Sequence, residues 1–197
     1  MLATSAGGVK DVRTYGLSLT SLTGLDSVTG YADGPPCSLQ GPADPIVGVH
    51  AGIALLAALE HRRRSGEGQL IEVAQIEVGA CITAEPVIEY SMNRVVRPRE
   101  GNRQRGYAQG VYPTRGDDEW VALCVRDDAD WSRLVEAIGR PELRGDPRFA
   151  SARAREAAHE AFDTLVADWT RARDADEIVE HLRAHRVPVA RLLTPDR

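Results

Sequence analysis

The apolar positions of this chain form one long run, then several short ones. From Ile46 to Leu59 nearly every residue is apolar, and the ends of the run carry helix signals: Asp44 reads as an N-cap, Pro45 as the first helical residue, and His61-Arg62-Arg63-Arg64 before Gly66 as a basic last turn. The spacing predicts a helix with apolar residues on almost every side, hence buried on most faces, where Gly48 and Gly52 would admit a close neighbour. After the turn at Gly66-Glu67-Gly68-Gln69, Leu70 to Ala74 reads as a strand and Gln75 to about Met92 as a second helix, bent near Pro86. This is the grammar of an α/β unit.

Asn93 to Gly110 is polar and without period, so a boundary falls there. Trp120 to Val125 has the content of a buried strand, and with Gly110 to Arg115 and the Gly116-Asp117-Asp118 turn it predicts a hairpin. Asp127 caps a helix running to Ile138, with Gly139 at its end; Ser151 opens another reaching about Arg171; Asp174 to His185 makes a third, followed by the strand-like Val187-Pro188-Val189. Residues 1–43 show turn signals (Gly7-Gly8, Gly24, Gly30, Asp33-Gly34-Pro35-Pro36) but no complete strand-helix-strand unit. The expected organisation is part of an α/β domain over 1–93, a linker over 94–109, and a small α+β domain with a return segment over 110–197.

Composition narrows the partners. The formal charge of −5, from 24 basic and 29 acidic residues, argues against a nucleic-acid or anionic-membrane binder. Cys37, Cys81 and Cys124 are far apart and form no C-x-x-C pair, so neither a disulfide framework nor a zinc site is expected, and a reducing cytoplasm fits. The first ten residues lack a charged segment followed by an apolar one, so no signal peptide is expected. The run from Ile46 to Leu59 reads as too short to span a bilayer.

The candidate chemistry begins with Asp44. An Asp-Pro pair is the ordinary start of a helix, yet free N–H groups and the positive dipole end there also favour a carboxylate able to attack a carbonyl. His50, six residues on, reads as a packed or capping-region histidine rather than an acid-base partner. Arg94, Arg97, Arg99, Arg103 and Arg105 form a basic loop that is either solvated linker or a seat for phosphates, with Arg103 and Arg105 the candidate ligands. Gly66-Glu67-Gly68 is no phosphate loop, because it follows a helix and precedes a strand.

Four stretches together resemble the family III CoA-transferases, the CaiB/BaiF family: Ala43-Asp44-Pro45-Ile46-Val47-Gly48-Val49-His50-Ala51; Leu55 to Leu59 with Arg62 to Gln69; Gly101-Asn102-Arg103 leading to Gly110-Val111-Tyr112; and Gly116 to Ala122. The resemblance covers nearly the whole chain. It implies the middle of a protein about twice as long, with part of a Rossmann-like large domain followed by the small α+β domain. It also implies that Asp44 is catalytic, attacking an acyl-CoA to give a mixed anhydride and then an aspartyl-CoA thioester from which an acceptor acid collects CoA. Coenzyme A thioesters would be substrates, with no tightly bound cofactor and no metal. The partners implied are an acyl-CoA, a carboxylic acid, and a second copy or a complementing half-chain. Related α-methylacyl-CoA racemases pair the Asp with an upstream His, which residues 1–43 lack, and that absence favours transfer; racemisation through the same thioester is the alternative, and a non-catalytic fragment keeping scaffold and subunit contacts is another. The Gly-rich loop of some members has no counterpart beyond Gly101, Gly106 and Gly110.

Overall fold

The computed structural model describes residues 13, 15–39 and 41–194; the turn expected at Gly7-Gly8 lies outside them. The chain divides into two compact units between Gly101 and Asn102, within the segment expected to link.

Unit 1 is helical: α1 (Gly16–Leu22), α2 (Leu25–Val28), α3 (Ala43–Ser65), α4 (Gln75–Ile82) and α5 (Ala84–Asn93). Leu19 of α1, Ala43 and Val47 of α3, and Ala74 and Val78 at α4 form its buried apolar set. Gly79 permits the close approach of α4 to Thr23, since a Cβ there would collide with the Thr23 methyl group, and the Thr83 hydroxyl donates to the Thr23 carbonyl at 2.9 Å. The expected bend is a break at Thr83. Pro86 cannot donate to the carbonyl of Ile82, and its ring crowds that group, so α4 stops and α5 restarts.

Three expectations for unit 1 are corrected. Asp44 is not the N-cap of α3: Pro42 takes that position and Asp44 is the second helical residue. Pro42 already has helical backbone angles, φ −68° and ψ −26°, and Pro45 then falls at the third position, where an N–H would lack an intrahelical partner anyway. Secondly, α3 is buried only at Ala43 and Val47, while Val49 and Ile53 are 62% exposed and Leu56 68%. At 23 residues it is also long and apolar enough, by length and composition, to cross a bilayer. Thirdly, Leu70 to Ala74 forms no strand: unit 1 contains none among its described residues, and Ala74, the N-cap of α4, has extended backbone angles, φ −84° and ψ 128°.

Unit 2 is a three-stranded antiparallel sheet, β1 (Ala108–Pro113), β2 (Trp120–Val125) and β3 (Val189–Arg191), in the order β1-β2-β3. The hairpin register pairs Ala108 with Val125, Gly110 with Leu123 and Tyr112 with Val121. Val121, Leu123 and Val125 alternate inward, as period two requires, onto a core built with Trp131, Leu134 and Val135 of α6 (Asp128–Ala137), Phe162 and Val166 of α8 (His159–Thr170), and Ile178 and Leu182 of α9 (Ala175–Ala184). Asp127, Ser151 and Asp174 cap α6, α7 (Ala152–Ala157) and α9 with their side chains. The helix expected from Ser151 to Arg171 is interrupted at Ala158. Arg155 is buried, spanning the Phe149 carbonyl at 2.8 Å and Asp128 at 2.7 Å.

Candidate active site

Asp44 lies in the first turn of α3, exposed to solvent. Its Oδ1 accepts a 2.6 Å hydrogen bond from Nε2 of Gln75, the first residue of α4 and only 5% exposed. A buried amide therefore fixes one oxygen of an accessible carboxylate, and no described residue bonds the other. The free N–H groups of the helix start and the positive end of its dipole lie behind it. Such an arrangement presents a lone pair in a set direction, which is what attack on an electrophilic carbonyl requires.

His50 does not join this group. Six residues along α3 it sits about 120° around the helix axis from Asp44, exposed, with Nδ1 at 2.8 Å from the Ile46 carbonyl oxygen of its own helix. It is neither packed nor near the helix cap.

The basic loop is not one surface. Arg94 closes α5 in the left-handed conformation, φ 57°, with its guanidinium over the Tyr90 ring at 5.5 Å. Arg97 pairs with Glu89 at 2.9 Å and Glu85 at 3.3 Å. Arg99 donates to the carbonyls of Tyr31 and Gly34, at 3.3 and 2.9 Å, and so holds the turn upstream of Asp44. These three serve the structure of unit 1. Arg103 and Arg105 belong to unit 2, both exposed, and Arg103 lies 3.5 Å from Asp163.

Asp163 centres a cluster that the sequence did not suggest. The Tyr112 hydroxyl donates to it at 2.8 Å, and His159 Nδ1 lies 3.1 Å away. Burial pushes the Asp163 carboxyl up, but the hydrogen bonds from His159 and Tyr112 outweigh it and hold it below the ordinary range. Burial and the facing Asp163 carboxylate push the Tyr112 hydroxyl well up, so it remains a donor. Gln75 was missed because a glutamine opening a helix reads as solvent-facing. The Asp163 cluster was missed because its partners lie up to 60 residues apart. Among the described residues no group of three or more His, Cys, Asp or Glu could hold a metal ion.

The sequence model of CoA-transferase family III matches residues 4–197. The succinyl-CoA–D-citramalate CoA-transferase of Chloroflexus aurantiacus is 31% identical over 95% of this chain and 47% of its own length. The formyl-CoA:oxalate CoA-transferase of Streptomyces avermitilis is 31% identical over 95% of this chain and 50% of its own. A crystal structure of a CaiB/BaiF family protein from Brucella suis superposes with a TM-score of 0.84 at 25% identity, covering 96% of this chain and 50% of that one. The chain thus spans about half the length of these relatives.

Proposed function

The chain belongs to CoA-transferase family III, and from that premise we propose that it supplies the acyl- and CoA-carrying carboxylate, Asp44, to an acyl-CoA:carboxylic acid CoA-transferase assembled with further polypeptide. The observation that carries this reading is the Gln75 to Asp44 hydrogen bond, which orients an accessible carboxylate through one oxygen. The other oxygen attacks the thioester carbonyl of the donor, giving a mixed anhydride and CoA thiolate. The thiolate then attacks the Asp44 acyl carbon, expelling the donor's carboxylate and leaving an aspartyl-CoA thioester. The acceptor carboxylate attacks this thioester, the thiolate leaves again, and its return to the acceptor acyl carbon of the new anhydride yields acceptor-CoA and free Asp44. Arg103 and Arg105 are the side chains proposed to meet CoA phosphates, the former steadied by Asp163. Racemisation finds no support in the position of His50.

The test uses the assembled enzyme. Incubation with acyl-CoA and hydroxylamine should label Asp44, read by peptide mass, and stop turnover. Asp44→Asn should fold as the parent does and fail to transfer; retained turnover in that variant rules out Asp44 as the carrier.

A further inference from the structure

Gln75 orients Asp44 from the first position of α4, so the reach of its amide depends on where α4 lies against its neighbours. Gln75, Gly79 and Thr83 follow one another at intervals of four and so share a face. Gln75 and Gly79 are buried, as is Thr83 at the end of the helix. At one end this face carries the amide on Asp44. Its other two positions both rest on one residue, Thr23, the C-cap of α1. The Thr83 hydroxyl donates to the Thr23 carbonyl at 2.9 Å, a bond across 60 positions. A Cβ on Gly79 would stand 2.4 Å from Thr23 Cγ2, at least about 1 Å inside the ordinary contact of two carbons. That methyl group is not free to swing aside, because Thr23 Oγ1 donates to the Thr20 carbonyl at 3.1 Å and a β-branched side chain has few staggered alternatives. Helix α1 also serves the Asp44 side: it touches α3 as well as α4, and Gly16 lies against Gly41 just ahead of α3, where an added Cβ would be 3.6 Å from the Gly41 nitrogen. Carboxylate and amide are thus both placed from α1.

We propose that Thr23, Gly79 and Thr83 are positioning residues for Asp44 that act through Gln75: they seat α4 at the one distance and register along α1 from which the amide reaches the carboxylate. The Thr83 hydroxyl fixes how far α4 slides, and the bare Gly79 fixes how near it comes. The Gln75 bond tolerates little error, because a 2.6 Å contact lengthened by about 1 Å is no longer a hydrogen bond. A methyl group on Gly79 demands a shift of that size while leaving Gln75 and Asp44 chemically untouched. The size of residue 79 is therefore coupled to the size of residue 23, and both to the rate. This inference rests on the reading of Asp44 as the acyl carrier and adds the side chains that set its aim.

The decisive variants are Gly79→Ala and the pair Thr23→Ser with Gly79→Ala, assayed in the complete enzyme. Alanine favours a helix over glycine, so Gly79→Ala should keep the parental circular dichroism. Its kcat should fall about tenfold with KM changed by less than about twofold, since poor aim costs rate rather than affinity. Thr23→Ser removes Cγ2 and leaves Cβ at 3.3 Å and the hydroxyl oxygen at 3.6 Å from the new methyl carbon. The pair should therefore recover to within about threefold of the parent. With Gln75→Leu already in place, Gly79→Ala should lower kcat no further, whereas a residue that only supports the fold would add its own loss. A second readout needs no substrate. In the isotopically labelled 197-residue chain, the Gln75 side-chain amide should resonate apart from solvated glutamine amides, merge with them in Gly79→Ala, and separate again in the pair. The proposal is overturned by parental kcat or lost circular dichroism in Gly79→Ala, by no recovery in the pair, by a further loss on top of Gln75→Leu, or by an amide resonance that does not move. Retained turnover in Asp44→Asn would defeat the transferase reading instead, and the amide resonance would still decide how Gln75 is placed.

Discussion

Asp44 owes its orientation to Gln75, 31 positions away in sequence. Loss of that amide should leave the proposed nucleophile present but less well aimed. Gln75→Leu keeps the buried volume, and Asp44 stays solvated, so the fold should survive. In the assembled enzyme, turnover should fall about tenfold with little change in KM, since misplacing a reacting group costs rate rather than affinity. An unchanged kcat would show that the hydrogen bond is structural only. Asp44 stood out in the sequence because an Asp-Pro pair opening an apolar helix is a local signal, although Pro42 and not Asp44 takes the cap position. Gln75 was illegible because its burial depends on where α4 packs, and no local pattern records that. The roles of Arg97 and Arg99 were hidden for the same reason: charge density in the sequence did not show that Glu89 and two carbonyls had already claimed them.

Elements whose ends are set by their own residues were read well. The caps at Asp127, Ser151 and Asp174 each satisfy an orphan N–H two or three residues on, a device visible in a few letters. The ends of α3 and the strand expected at Leu70 to Ala74 were read less well, because a strand exists only against a partner. The start of α6 also carries a pH dependence. Asp130, fully buried, accepts from the backbone N–H and guanidinium of Arg126 and from Arg133. Burial raises its pKa, but these hydrogen bonds prevail and bring it down to about 2. Since the folded value lies below the unfolded one, the stabilisation is present above about pH 4 and is lost as the pH falls from there toward 2. With Arg126 and Arg133 partly exposed and screened, it amounts to about 1 kcal/mol. Urea midpoints of unit 2 should therefore drop over that window, and Asp130→Asn should flatten the drop; an equally steep fall in the variant would assign it to other carboxylates.

The molecule as a whole is two units of unequal self-sufficiency. Unit 2 closes a contiguous core from Ala108 to Val187 under one face of its sheet, so residues 102–197 expressed alone should unfold in a single cooperative transition. Among its described residues unit 1 buries five apolar side chains and leaves a helix largely uncovered. The full chain in isolation should accordingly bind an apolar dye and show no Asp44-dependent CoA transfer, measured as acyl-CoA:acid exchange with several donors. Clear turnover by the lone chain would mean that this half of the fold suffices. The uncovered flank of α3 also has a meaning inside a cell. Chaperones hold, and proteases clear, chains that display such surface, so the lifetime of this protein would depend on whether that flank is covered. Copies with the flank covered would persist and uncovered ones would be removed, a selection made after synthesis with no control of transcription required.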